Sequence, residues 1–139
     1  PERSHLLAAI IEKVSYAKDN NLLEVKMWGD GEARREFTYV DDVAYFMIKS
    51  LERLDNLPTT MNLGVGIDYS VREYYEKVIK SFGAQLKIVA DPSKPAGIKR
   101  KLLDISLALS FGWEAKTDIE TGIDSTINWY LSSRKVGAN

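Results

Sequence analysis

A mixed α/β fold of helices joined by short strands is predicted by three features of this chain. Apolar residues recur at helical spacing through several long segments, strand-like runs of a few residues lie between them, and Gly, Pro or Asn stands at most of the junctions. The regular rhythm of strand and long crossover helix that marks a complete doubly wound sheet is missing, so an α/β appendage domain fits better than a whole nucleotide-binding fold.

The first helix is expected from about Ser4 to Asp19, with Leu6, Leu7, Ile10, Ile11 and Val14 on one face and Asn20-Asn21 ending it. A strand at about Glu24 to Trp28 leads into Gly29-Asp30-Gly31, where glycine allows a tight turn. Phe37 and Tyr39 alternate with Thr38 and Val40 in a second expected strand, Glu36 to Val40. Asp41 and Asp42 then read as helix caps, with Val43, Phe46, Met47, Leu51 and Leu54 as the apolar stripe, and Pro58 forbids continuation.

Met61 to Gly64 reads as a short buried strand before a loop through Gly66. Ser70 and Glu73 have capping-box spacing, and Val71, Tyr74, Tyr75, Val78, Ile79 and Phe82 trace the face of a helix ended by Gly83. Leu86 to Val89 and Lys101 to Asp104 read as strands around the loop Asp91-Pro92-Ser93-Lys94-Pro95-Ala96-Gly97. A short helix, Ser106 to Phe111, is closed by Gly112. Thr117 and Glu120 repeat the capping-box spacing, and Ile119, Ile123, Ile127 and Tyr130 carry the last helix to about Ser133.

The composition, 45% hydrophobic and 28% charged over 139 residues, is that of one ordinary globular domain, read as residues 1–139. With 19 basic and 20 acidic residues the net charge is −1, which disfavours nucleic-acid or anionic-membrane binding by a global field and makes any phosphate recognition local. The absence of cysteine excludes disulfides, thiolate metal sites and a cysteine nucleophile on this chain, and is compatible with a cytoplasmic location. No G-x-G-x-x-G, P-loop, G-x-S-x-G or H-E-x-x-H motif occurs, and Gly64-Val65-Gly66 lacks the third glycine of a dinucleotide fingerprint. A single histidine builds no multi-histidine metal centre, so no metal site is expected.

Basic residues carry the positive signal. Arg34-Arg35 and Lys99-Arg100-Lys101 both stand beside glycine-containing loops at strand ends, where they read either as a clamp for a diphosphate or as solvated charge runs. Trp28, just before the glycine turn, reads equally as a flat face at a ligand cleft or as buried packing. His5 has the chemistry of a proton donor near neutral pH but is alone near the chain end.

The stretches Trp28-Gly29-Asp30-Gly31, Arg35-Glu36-Phe37-Thr38-Tyr39-Val40-Asp41-Asp42-Val43-Ala44 and Asn62-Leu63-Gly64-Val65-Gly66 resemble the C-terminal half of extended short-chain dehydrogenase/reductases acting on nucleotide sugars. Within that family, Ser4-His5, Asp91-Pro92-Ser93-Lys94-Pro95, Arg100-Lys101-Leu102-Leu103-Asp104 and Gly112-Trp113 look most like the GDP-L-fucose synthase family. The resemblance implies the C-terminal substrate-binding portion of an extended short-chain dehydrogenase/reductase, with the Rossmann cofactor core missing. It implies an enzyme that takes GDP-4-keto-6-deoxy-D-mannose, epimerises C3 and C5, and reduces C4 with NADPH. The keto group acidifies the neighbouring carbons, an acid/base pair exchanges their protons, and a hydride reduces the carbonyl.

By the same resemblance, His5 matches the catalytic histidine, a proton donor that also lies near the cofactor. Lys13 stands where the family has a substrate-binding arginine, Trp28 and Arg35 match nucleotide-sugar contacts with Arg35 at the diphosphate, and Lys101 with its neighbour Arg100 matches a basic motif near the substrate. The glycine-rich cofactor loop and the Tyr-x-x-x-Lys pair of the family are absent, so the chain alone is expected to be inactive, a piece of a longer homodimeric NADP(H)-dependent enzyme. The family loop Pro-Asp-Gly-Thr-Pro-Arg-Lys reads here Pro95-Ala96-Gly97-Ile98-Lys99-Arg100-Lys101, and this with Lys13 leaves room for another GDP-linked keto-deoxy sugar, including a heptose. A stand-alone nucleotide-sugar binding module is the competing expectation.

Overall fold

The computed structural model describes residues 5–94 and 97–136. The expected helix start at Ser4 and the loop residues Pro95 and Ala96 lie outside these described residues. Helix α1 spans Leu6–Asp19 with His5 in extended conformation before it, and β1 follows at Glu24–Trp28 as expected. Strand β2 is Arg34–Arg35, α2 is Val40–Ser50, and a 3-10 segment continues it over Leu51–Asn56. Then come β3 (Tyr69–Ser70), α3 (Val71–Ser81), β4 (Lys87–Asp91), β5 (Arg100–Lys101), α4 (Ser106–Ser110) and α5 (Ile119–Val136).

Two small sheets organise these elements. Strands β1 and β4 pair in parallel from Glu24 opposite Lys87 to Trp28 opposite Asp91. In the second sheet β2 is central, antiparallel to β3 and parallel to β5. The main core lies where α3 packs on α1 and α5, and it is built from Ile10, Val14, Met27, Tyr74, Val78 and Ile123, all essentially inaccessible. The capping box of α3 forms in full, Ser70 Oγ accepting from the Glu73 amide while the Glu73 carboxylate accepts from the Ser70 amide. Gly31 turns the chain at φ +87°, and a Cβ there would stand 2.5 Å from Met27 Cε, so only glycine fits this turn.

Several sequence expectations change. Of the expected strand Glu36 to Val40, only the preceding pair Arg34–Arg35 joins a ladder, and Val40 already begins α2. Met61 to Gly64 and Leu102 to Asp104 likewise form no ladder. The physical reason is a side chain: the Glu36 carboxylate accepts from the amides of Val65 (2.5 Å), Gly66 (2.6 Å) and Leu103 (3.0 Å), and Asn62 Nδ2 donates to Asp104 O at 3.1 Å. Polar side chains join segments that were expected to be strands.

The caps of two helices also differ. Neither Asp41 nor Asp42 caps α2, whose N-cap is Tyr39 with no side-chain bond. Asp42 instead accepts from the amides of Lys116 (3.1 Å) and Thr117 (2.9 Å) and from Thr117 Oγ1 (3.1 Å), tying α2 to the start of α5. Thr117 and Glu120 therefore form no capping box. Asp118 caps α5 by accepting from the Thr121 amide at 2.8 Å, and Glu120 pairs with Lys77.

A second small core, Phe46, Ala108 and Trp113, holds α2, with the two aromatic rings edge to face at 5.4 Å and Trp113 Nε1 donating to Gly64 O at 2.6 Å. Val43 packs against this core, but the rest of the expected stripe is not core. Met47, Leu51 and Leu54 are exposed, and with Ile48, Met61 and Leu63 they line an open apolar groove. No helix among the described residues is long and apolar enough to cross a membrane.

Candidate functional site

At the C-terminal end of β1 the chain presents Trp28, half exposed at 50%, beside Asp91 on the paired strand. The Gly29 amide donates to Asp91 O at 2.8 Å, so both strands end together. Asp91 then organises its own turn, its carboxylate accepting from the Ser93 hydroxyl and the Ser93 amide, and these bonds hold its pKa below the usual carboxylate value. The turn carries Lys94 to 5.8 Å from the centre of the Trp28 ring. From the other side of the chain Lys13 on α1 reaches 4.9 Å from the same ring. Two ammonium groups therefore attend one exposed indole.

Lys13 is fixed as well as charged. Its Nζ donates to Lys26 O at 3.2 Å and to Tyr75 Oη at 3.4 Å, and burial lowers its pKa from the ordinary lysine value. Tyr75 itself donates to Lys26 O at 3.2 Å, and burial pushes its phenol up to about 12. Tyr75 therefore stays a neutral donor throughout the physiological range.

Basic residues meet at the second sheet. The register sets Arg34 opposite Arg100 and Arg35 opposite Lys101, like charges directly across a ladder, which is unfavourable unless something neutralises them. One pair is neutralised. Asp68, 6% exposed, receives Arg34 Nε at 2.8 Å on one carboxylate oxygen and Arg100 Nε on the other, while Arg34 Nη2 donates to Asp68 O at 2.6 Å. The guanidinium groups of Arg100 and then Arg34 hold the Asp68 carboxyl below its usual range.

The other pair is not neutralised. Among the described residues no carboxylate forms an ion pair with Arg35 or Lys101. Arg35 is nevertheless oriented, Nη1 donating to Arg34 O (2.6 Å) and Ile98 O (2.7 Å), and Tyr74 Oη donates to Arg35 O at 2.9 Å. Tyr74 is fully buried, and burial raises its pKa far above that of a free phenol. The outcome is a half-buried guanidinium in register with an exposed ammonium, on a backbone fixed from beneath, a pair with the charge to attract a doubly charged anion.

The Gly64-Val65-Gly66 turn has a different occupant from a cofactor phosphate. Its amides are aimed at the Glu36 carboxylate, and a Cβ on Gly64 would stand 2.6 Å from Glu36 Oε1. The anion-binding capacity of this backbone concavity is used internally. It does not fit a dinucleotide.

The sequence-derived residues thus divide into groups. Lys13 and Trp28 meet at the end of the first sheet, and Arg35 and Lys101 stand opposite each other in the second. Arg100, expected at the substrate, has its Nε committed to Asp68. His5 is exposed at the N-terminal end of α1 with no side-chain cap bond, eight residues before Lys13 and so about 12 Å along the helix axis. Asp68, Tyr75 and Lys94 were not singled out from sequence. Lys94 belongs to the loop that follows Asp91, but nothing in the order of residues shows that Asp68 is buried between two arginines.

Known proteins share sequence and fold with this chain. Residues 1–64 match the sequence model of the NAD dependent epimerase/dehydratase family. The chain is 43% identical over 136 residues to a GDP-L-fucose synthase of Azorhizobium caulinodans, covering 98% of this chain and 44% of that protein. This chain is a homologue of the GDP-L-fucose synthases. It is also 41% identical over 131 residues to a GDP-L-colitose synthase of Yersinia pseudotuberculosis, covering 94% of this chain and 42% of the relative. Among solved structures it resembles a GDP-mannoheptose C4 reductase of Campylobacter jejuni with NADP bound, at 30% identity and a TM-score of 0.78, covering 92% of this chain and 45% of that one. The chain therefore spans less than half the length of the relatives it matches, and the extended short-chain dehydrogenase/reductase fold is shared over that part.

Proposed function

We propose that this chain is the substrate-binding portion of a GDP-L-fucose-synthase-like enzyme, which converts GDP-4-keto-6-deoxy-D-mannose to GDP-L-fucose by C3/C5 epimerisation and NADPH-dependent C4 reduction. The observation that carries the reading is Arg35 opposite Lys101 without a carboxylate partner among the described residues. Arg35 and Lys101 receive the diphosphate, and Trp28 offers a flat apolar face to the nucleotide sugar with Lys13 and Lys94 at its ring. His5, exposed and with no side-chain cap bond, supplies a proton at the sugar carbons next to the ketone.

NADP is present in a solved relative, but the Gly64-Val65-Gly66 turn of this chain offers it no place, since that turn is filled by Glu36. The cofactor belongs mainly to the part of the relatives that lies outside this chain, with His5 facing it. The reading carries a cytoplasmic location and a homodimeric parent, both resting on resemblance alone.

Calorimetric titration of the longer enzyme with GDP-sugar tests the diphosphate role: Arg35→Ala is expected to weaken binding at least tenfold, and unchanged affinity overturns it. His5→Asn is expected to suppress solvent deuterium incorporation at C3 and C5, and normal incorporation removes that assignment. A second substrate is favoured by a specific observation. Lys13 replaces the family's arginine fork by a single ammonium directed at Trp28, and a GDP-heptose reductase shares the fold at 30% identity, so a GDP-linked keto-heptose competes.

A further inference from the structure

The second sheet sorts its cations by face. Side chains of adjacent strand residues point to opposite faces, so Arg34 and Arg100 share one face while Arg35 and Lys101 share the other. On the first face the charges cancel: Arg34 and Arg100 meet Asp68, and Arg34 Nη1 also approaches Glu73 Oε2 at 3.4 Å. Two cations and two carboxylates make that cluster neutral. On the second face stand two cations with no carboxylate partner among the described residues.

We propose that Asp68 is the positioning residue that sets the charge of this anion site at two, and thereby matches it to a diphosphate diester over anions that carry more charge. The inference rests on the diphosphate reading above and adds the specificity. A nucleotide sugar carries one charge on each phosphate of its diester. A nucleoside diphosphate with a free terminal phosphate carries about one more at pH 8. Asp68 touches neither anion. It acts, together with Glu73, by cancelling Arg34 and Arg100, which would otherwise add their field across the thin sheet, and by pinning β5 to β2 so that Lys101 lies opposite Arg35.

The test is an NMR titration with GDP and with GDP-mannose at low ionic strength, followed on the Arg35 Nε–Hε resonance, which detects millimolar binding. The quantity read is the ratio of the two affinities. Asp68→Asn leaves the cluster one positive charge in excess, and the ratio is expected to shift toward GDP about two- to fivefold, with a steeper dependence on salt. Asp68→Asn combined with Arg100→Gln restores neutrality, and the wild-type ratio is expected to return. A purely structural Asp68 would weaken both ligands alike and would not be rescued by removing a second charge.

An Asp68→Asn ratio equal to wild type, with Arg35 still responding, overturns the proposal. So does a double variant that keeps the shifted ratio. Where Asp68→Asn alone does not fold, Arg100→Gln makes the cluster negative, and the ratio is expected to move two- to fivefold the other way; no movement overturns the proposal. If Arg35 in the wild-type chain responds to neither ligand, the diphosphate reading itself fails and takes this inference with it, a result distinct from an intact response with an unchanged ratio.

Discussion

Lys13 lies 4.9 Å from the ring centre of Trp28, and its Nζ is held there by Lys26 O and Tyr75 Oη. Burial lowers the Lys13 pKa, so between its folded value and 10.5 the folded chain holds fewer protons than the unfolded chain. The contribution of Lys13 to stability therefore rises with pH in that window. The fluorescence of Trp28 should report the same proton, because the charge beside an indole alters its emission. We expect the difference in emission between wild type and Lys13→Met to titrate with a midpoint below 10.5. A midpoint at or above 10.5 would show that Lys13 is solvated as an ordinary surface lysine.

Acid should unfold this chain from its paired carboxylates. Asp68 is held down by Arg100 and Arg34, Glu73 by the Ser70 amide, Asp118 by the Thr121 amide and Glu120 by Lys77. Each contributes stability that is present above the unfolded pKa of about 4 and is lost as pH falls through the lower folded value. Urea midpoints measured from pH 7 to pH 2 are expected to be nearly flat to about pH 4.5 and then to fall. Asp118→Asn should make that fall shallower, and an unchanged slope would remove Asp118 from the set.

Periodicity read α1, α3 and α5 well because their apolar faces are the core: Ile10, Val14, Tyr74, Val78 and Ile123 are all buried where spacing placed them, whereas Met47, Leu51 and Leu54 of the second stripe are exposed. The strand Glu24–Trp28 also stood in the sequence, with turn residues marking its end. The short strands failed because Glu36 and Asn62 supply hydrogen bonds that a ladder would otherwise have made, and no pattern of apolar residues encodes that exchange. The site was half legible. Arg35, Lys101, Trp28 and Lys13 followed from resemblance, whereas the pairing of Arg100 with Asp68 depends on a residue 32 positions away in sequence and is visible only in three dimensions.

Asp42 exchanges the role of a cap for that of a tether. Its carboxylate accepts from Lys116 N, Thr117 N and Thr117 Oγ1, and no other described side chain makes these bonds. Asp42→Ala is expected to cost about 1–3 kcal/mol, since two amides and a hydroxyl lose their acceptor. Asp41→Ala, with no such partners, should stay within about 0.5 kcal/mol. Hydrogen exchange locates the effect: amides at the start of α5 should exchange faster in Asp42→Ala alone. Equal destabilisation by both variants would return the pair to a general role at the helix N-terminus.

The exposed stripe of α2 tests whether this chain keeps an unpartnered face. Met47, Ile48, Leu51 and Leu54 are each more than half exposed, beside Met61 and Leu63 in the same groove. A contiguous apolar surface of this kind binds hydrophobic dyes and favours self-association. Wild-type chain is expected to enhance anilinonaphthalene sulfonate fluorescence and to show a concentration-dependent sedimentation coefficient. Leu51→Glu and Met47→Glu should each reduce both signals while leaving thermal stability near wild type, because exposed side chains contribute little to the folded core. Loss of stability in these variants would mean that the stripe is packed in solution, and undiminished dye binding would place the apolar surface elsewhere.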